Sequence, residues 1–313
     1  MREILVLRSG AIGDVLVAFP VLGALKRAFR SARLTFAART EARELARAAG
    51  LADRLVDIGS VLFAPLFGAG PFLQKEQAPS LASFLRSFDL VVSLLRDPDR
   101  SMERKLRSLS GAEVLSLRNP PEKGHIAEVL LQVLEPLGIE FPSLSEPFLA
   151  PLRSRPFSHE SLPITQKRYA VFHTGSGSPQ KNWPVENFVR FGRLAASAGF
   201  HVVLPKGEAD SDVVREAERG LGQTCTVVEL PLLELAKLIT GSAFYVGNDS
   251  GISHTAGLCG AHTVCVFGPT DPGRWRPLGP RVYAVAGPEG GFPSVEKVLQ
   301  AGRLECFFRK SGA

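Results

Sequence analysis

The sequence lacks what would carry it into or across a membrane. No stretch approaches the ~20 consecutive apolar residues that span a bilayer, and the apolar start at residues 4–7 is too short for a secretory leader and runs into charge at Arg8. A cytoplasmic protein is expected, one that meets a membrane only peripherally, at its inner face. Cysteine is scarce: Cys225, Cys259, Cys265 and Cys306 form no Cys-x-x-Cys pair and have no histidine cluster beside them. A disulfide framework and a zinc ribbon are thereby excluded in favour of four reduced thiols. Charge of one sign is not concentrated either. The net charge is +6, with 19 Lys/Arg against 17 Asp/Glu over residues 1–150 and 18 against 14 over residues 151–313. Such an even spread argues against nucleic acid as a partner, while a mild positive field suits an anionic substrate. Short tandem repeats and low-complexity tracts are absent.

What is present is alternation. Short β-branched runs at residues 4–7, 34–37, 55–58, 90–94 and 114–117 are interleaved with helical patterns at 41–49, 102–109 and 126–137. A stretch rich in Pro, Ser and Arg, residues 151–166, reads as a linker. Strands then resume at 169–173, 202–204, 226–228, 244–246 and 264–267, with helices at 185–198, 211–219, 232–241 and 252–258. This rhythm predicts βαβ units, and 313 residues suffice for two successive doubly wound α/β domains. Ligands of such sheets bind at the carboxyl ends of the strands, and four motifs fall there.

The first, Ser9-Gly10-Ala11-Ile12-Gly13-Asp14, follows the first strand. It is not a Gly-x-Gly-x-x-Gly fingerprint. Asp14 at the helix start reads equally as a capping carboxylate and as a general base. Pro20 either breaks that helix after one turn or opens a second one. The second motif, His173-Thr174-Gly175-Ser176-Gly177-Ser178-Pro179-Gln180-Lys181-Asn182-Trp183-Pro184, is not a Walker loop. Its hydroxyls, bare amides and lysine suit a phosphate, though a flexible turn with a solvated lysine fits as well. The third, Gly247-Asn248-Asp249-Ser250-Gly251 with His254, opens an apolar helix whose first amides make an anion site. The plain alternative is a capped helix with a satisfied core histidine. The fourth, Phe267-Gly268-Pro269-Thr270-Asp271-Pro272, is a rigid turn that would bring Thr270 and Asp271 near the third, or is a structural turn alone.

Taken together, in this order and spacing, the motifs resemble those of the ADP-heptose:lipopolysaccharide heptosyltransferase family, glycosyltransferase family 9. The resemblance runs from Ile4 to about Pro280, carried by Gly10 to Asp14 with Pro20-Val21-Leu22, by Lys181-Asn182-Trp183-Pro184, and by the third and fourth motifs. It implies the α/β GT-B fold, two Rossmann-like doubly wound domains facing across a cleft. An acceptor domain is expected over residues 1–155 and a nucleotide-sugar domain over 167–290, with residues 291–313 crossing back to the first. The implied activity is inverting transfer of heptose from ADP-heptose to a lipopolysaccharide inner-core acceptor.

The resemblance also implies roles. Asp14 is the expected base. Lys181, with Ser176 and Ser178, and the helix start at Ser250 and Gly251 are the expected diphosphate contacts. Asp249 and His254 match residues around the donor sugar, Glu208 is assigned to the ribose and Leu232 to the base. No metal and no cofactor beyond the donor substrate is expected. Two other readings stay open: a GT-B transferase for another nucleotide sugar, and a non-catalytic nucleotide-sugar-binding module. The family often has a Leu-Gln-Gly-like stretch where this chain has Leu95-Arg96-Asp97-Pro98, and the acceptor lies on that side. Arg96, Arg100, Arg104 and Arg107 recur at helical spacing and would bind an anionic glycolipid at the membrane surface, beside the apolar stretch Val61–Phe67 with Phe72, Leu73 and Lys75. Asp97, Asp99 and Glu103 are interleaved, which favours the plainer reading, a self-neutralised surface.

Overall fold

The computed structural model describes residues 2–39, 41–68, 73–117, 123–154 and 168–308. The chain divides into two units, Met1–Leu144 and Ser145–Ala313. The division falls ahead of the boundary expected at residue 155, because residues 145–154 are tied to the second unit. The Leu149 amide donates to the Leu258 carbonyl at 2.9 Å, Arg153 donates to the Gly260 carbonyl at 3.1 Å, and Leu149 and Leu152 are buried. Residues 155–166 of the expected linker lie outside the described residues.

The first unit is built on a parallel five-stranded sheet of β1 (Glu3–Arg8), β2 (Arg33–Ala38), β3 (Arg54–Val56), β4 (Leu90–Ser93) and β5 (Glu113–Ser116), in the order β3-β2-β1-β4-β5. Its helices are α1 (Ile12–Leu16), α2 (Phe19–Ala28), α3 (Ala42–Ala48), α4 (Pro79–Leu85), α5 (Ser101–Ser110) and α6 (Ile126–Leu131). Ile4, Leu5, Val6 and Leu7 are fully buried, as a strand covered on both faces requires. Pro20 takes the second of its two readings and sits in the first turn of α2. The strand order reverses between β1 and β4, so the loops after these two strands diverge and leave a crevice.

The helical arginine face does not form. The helix α5 starts only at Ser101. Arg100 precedes it in a left-handed conformation (φ +59°), and Arg96 lies in the loop before that. Asp97 sets this start by accepting the amides of Met102 and Glu103 at 3.1 and 2.8 Å. Arg100 and Arg107 turn onto Glu103, at 3.1 and 3.0 Å. Ser116 of β5 donates to the same carboxylate at 2.7 Å. Arg104 donates to the Asp99 carbonyl at 2.8 Å. Self-neutralisation is therefore what the structure has, but around a carboxylate that is only 2% exposed rather than solvated. The apolar stretch Val61–Phe67 is divided. Phe63 and Leu66 belong to the core, whereas Val61 and Phe67 are 88% and 53% exposed. The buried Lys105 donates to the Leu66 and Gly68 carbonyls at 3.1 and 2.6 Å and pins the end of that turn. Phe72 and the Lys75 side chain lie outside the described residues.

The second unit has a parallel six-stranded sheet of β6 (Tyr169–His173), β7 (His201–Pro205), β8 (Cys225–Val228), β9 (Tyr245–Asn248), β10 (Thr263–Phe267) and β11 (Val282–Ala286), in the order β11-β10-β9-β6-β7-β8. Helices α7 (Val185–Ser197), α8 (Ser211–Leu221), α9 (Leu232–Gly241), α10 (Gly251–Leu258), α11 (Pro272–Trp275), α12 (Val295–Ala301) and α13 (Glu305–Phe308) complete it. Its switch point lies between β6 and β9. The C-terminal segment packs here: Val295, Val298 and Leu304 are buried in this unit's core, and the Phe307 and Phe308 rings lie 5.4 and 5.9 Å from Phe244. Through residue 308 the segment expected to cross back thus contributes to the aromatic cluster of its own unit.

Burial alone would raise the Glu103 carboxyl, but hydrogen bonds from Arg100, Ser116 and Arg107 outweigh it and hold the pKa at about 2. A depressed carboxylate stabilises the fold above its unfolded value near 4.5, and the contribution fades as pH falls toward 2. Glu103→Gln is expected to cost about 2 kcal/mol at neutral pH. Urea titrations should find the gap to the unaltered protein narrowing below about pH 4.5; a gap independent of pH would contradict the assignment.

Candidate functional site

Each unit gathers polar groups at its own switch point. In the first, the chain leaves β1 through Gly10, whose φ is +121°. A side chain there would lie 2.5 Å from the Asp14 Cβ, so glycine is required both for the turn and for the carboxylate. Asp14 is the third residue of α1. Its Oδ2 accepts the Ala11 amide at 3.0 Å, and its Oδ1 lies 3.4 Å from the Arg8 guanidinium. Arg8 is itself fixed on the carbonyls of Asp14 and Leu94, both at 2.8 Å. Burial lowers the Arg8 pKa, against the opposing effect of the Asp14 charge. Asp14 thus steadies the helix start, the first of its two readings, and keeps 35% of its side chain exposed.

In the second unit, Asn248 at the end of β9 is fully buried and binds on three sides. Its Oδ1 accepts the Trp183 amide at 2.8 Å, and its Nδ2 donates to the Thr174 and Gly175 carbonyls at 2.9 and 3.2 Å. These bonds fold the glycine- and serine-rich loop after β6 over the end of β9. Trp183, also fully buried, locks the far end through its indole N–H on the Pro293 carbonyl at 2.8 Å. Lys181 is thereby carried to Asp249, Nζ to Oδ2 2.8 Å, and Thr270 donates to the same oxygen at 2.8 Å. The fourth motif does reach the third, through Thr270. Asp271 instead caps α11 by accepting the Gly273 amide.

Ser250 caps α10, its Oγ accepting the Ser253 amide. Among the described residues, the amides of Ser250, Gly251 and Ile252 have no hydrogen-bond partner, the arrangement that suits an anionic oxygen. The Ser250 Oγ also lies 3.3 Å from Nδ1 of His173, whose Nε2 is 3.1 Å from the Asp210 carboxylate. Burial would raise Asp210. The hydrogen bonds from His173 and the Gly207 amide lower it instead. Gly175 permits this approach, since a Cβ there would lie 2.1 Å from that of Asp210.

The remaining expected residues divide. Ser176 is buried, and its hydroxyl is engaged within the loop, 2.6 Å from the Ser178 carbonyl and 2.7 Å from Asn182 Oδ1. It shapes the loop rather than offering a free hydroxyl; Ser178 is half-buried. Glu208 is exposed just past the end of β7. Leu232 and His254 are buried, at 4% and 3% exposure. His173 and Asn248 stand in the motifs without an expected role. Asp210 was not singled out at all, although its place three residues after Gly207 is a capping pattern, with the Gly207 amide donating to it at 2.7 Å. The sequence also holds two Asp-x-Asp steps that the metal-free expectation must meet. Asp97 and Asp99 take backbone amides, and Asp210 faces His173 while Asp212 pairs with Arg215.

The model of glycosyltransferase family 9 (heptosyltransferase) matches residues 86–304, well over half of the chain. The chain belongs to glycosyltransferase family 9. Lipopolysaccharide heptosyltransferase 1 of Salmonella typhimurium is 20% identical over 319 residues, covering 96% of this transferase and 99% of the relative. Lipopolysaccharide heptosyltransferase 3 of Escherichia coli is 26% identical over 85% of this chain and 82% of its own. Among solved structures, a family 9 glycosyltransferase of Veillonella parvula superposes with a TM-score of 0.74 at 18% identity, covering 99% of this chain and 98% of its own. ADP-heptose lps heptosyltransferase II of E. coli gives 0.73 at 18% identity, with both chains fully covered. The transferase therefore has the GT-B fold of these structures. Asp14 lies outside the matched residues 86–304.

Asn248→Ala should expose the dependence of the transferase on its central amide. It leaves two carbonyls and one amide without their partner in a dry site, at a cost of about 2–4 kcal/mol. Equilibrium unfolding measures this; a loss below about 1 kcal/mol would mean that water replaces the side chain.

Proposed function

We propose that this enzyme transfers heptose, with inversion, from ADP-heptose to the inner core of a lipopolysaccharide precursor. The observation that carries the reading is the constellation at the ends of β6, β9 and β10: Lys181 beside Asp249 and Thr270, next to the open amides of α10. A lysine and three amides on one strand-end surface match a diphosphate. The names of the full-length relatives support heptose as the sugar and lipopolysaccharide as the acceptor.

The chemistry is a single displacement. An acceptor hydroxyl attacks the anomeric carbon, and Asp14 takes its proton as the bond forms. The departing diphosphate gains negative charge, which Lys181 and the amides of Ser250 and Gly251 stabilise most in the transition state. Asp249 holds Lys181 in place until the donor arrives; Glu208 contacts the ribose. We assign the acceptor to the first unit and a peripheral position to the enzyme, on the inner face of the cytoplasmic membrane. The exposed Val61 and Phe67 offer an apolar contact, and the net charge of +6 favours an anionic surface. Among the described residues, no helix is long and apolar enough to cross a membrane.

The test is turnover of a panel of nucleotide sugars on heptose-deficient lipopolysaccharide. Product with ADP-heptose alone is expected. Preference for another donor would redirect the sugar assignment, and ADP binding without turnover on any donor would make this a binding module. Asp14→Asn should lower kcat by about 10²–10⁴-fold while ADP affinity stays within about twofold. The new amide nitrogen would face Arg8, so a stability loss of about 1 kcal/mol should accompany it. Lys181→Ala should weaken ADP binding by roughly ten- to a hundredfold and slow turnover too; calorimetry showing unchanged affinity would remove it from the site. EDTA is expected to leave the rate unchanged, and a loss restored by magnesium would overturn that expectation.

A further inference from the structure

The side chains of Ser250, His173 and Asp210 form a chain that the mechanism above does not use, yet it ends on the residue that opens the diphosphate-binding helix. Asp210 and His173 are 8% and 6% exposed. A carboxylate only accepts hydrogen bonds, so at 3.1 Å the His173 Nε2 carries a proton toward Asp210. In a neutral imidazole Nδ1 is then bare, and the Ser250 hydroxyl donates to it. That hydroxyl already accepts from the Ser253 amide at 3.4 Å. Both contacts on Ser250 are long, at 3.3 and 3.4 Å, so the hydroxyl is held loosely and points its proton away from any ligand.

We propose that His173 is a positioning residue that sets the direction of the Ser250 hydroxyl, and that diphosphate binding loads a proton onto it. Once Nδ1 is protonated it donates to Ser250 Oγ, and the serine proton turns toward a phosphate oxygen. The balance is simple: one proton is taken from solvent, no covalent bond changes, and the positive charge formed lies between Asp210 and the incoming diphosphate. The inference rests on the diphosphate reading of α10. Other ionisable groups around this chain are committed elsewhere. Lys181 and Asp249 pair with each other, the buried Tyr245 hydroxyl bonds Ser253 at 3.0 Å, and the buried Cys265 thiol donates to the Asn248 carbonyl. Among the described residues, the His173 ring is thus what bridges Asp210 and Ser250.

The experiment uses the full chain with ADP as probe. In the free protein near pH 8, nitrogen-15 spectra of the imidazole should report His173 protonated on Nε2 and bare on Nδ1. Calorimetry in buffers of different ionisation enthalpy should find more proton uptake on ADP binding than in His173→Gln. The ADP affinity ratio of the unaltered protein to Ser250→Ala should rise about tenfold between pH 8 and pH 6, the size of one charge-assisted hydrogen bond. Protonation of ADP itself cancels in that ratio. A proton on Nδ1 in the free protein, or a flat ratio with ADP bound, overturns the inference alone. No ADP binding at either pH overturns the donor reading and this inference with it. Should His173→Gln not fold, the spectra and the Ser250→Ala ratio decide the matter.

Discussion

The second unit depends on one side-chain amide. Asn248 is dry, and each of its bonds goes to a backbone group that has no strand partner. A carboxylate at this position would lack the donor for two carbonyls, and a hydroxyl could not span both directions. Because the amide fills all three contacts, the loop after β6 closes over β9 with a fixed shape. Lys181, Thr174, Gly175 and Trp183 inherit their positions from it. The site is built on strand ends by a buried polar bond, in a place where apolar packing alone would leave the glycines free to wander.

The two switch points solve the same problem by opposite means. In the first unit a carboxylate reaches back to the amide that precedes its helix, and the half-buried Arg8 at the end of β1, itself held on the Leu94 carbonyl, braces it. In the second, the helix start is left unfilled and the anchoring falls to strand-end side chains. A charged side chain occupies the first anion-attracting helix start, and the second stays available. That difference follows from Asp14 standing within its helix, and from Ser250 standing outside α10 with a short side chain bent back on Ser253.

Much of this was legible in the sequence, because the signals were local. The central strands are continuous apolar runs, and the strand-end motifs occupy the loops expected of them. The edge strand β11 escaped notice because only Val285 within it is buried, which leaves no clear period. Spacing misled at Arg96, Arg100, Arg104 and Arg107, since Asp97 fixes where the helix begins and a buried Glu103 claims two of the four. His173 with Asp210, and Lys181 with Asp249 and Thr270, are meetings of side chains from separate loops. No period or composition encodes such contacts, and only the closure of the sheet makes them.

The Lys181–Asp249 pair sets a condition on whatever would take the lysine. Asp249 is only 7% exposed and shares its Oδ2 between Lys181 and Thr270, so drawing the ammonium away leaves a buried carboxylate with one hydroxyl donor. Separating a pair held this far from water is costly unless the charge is compensated. The exchange therefore favours a ligand with a second point of attachment over one that meets the lysine alone.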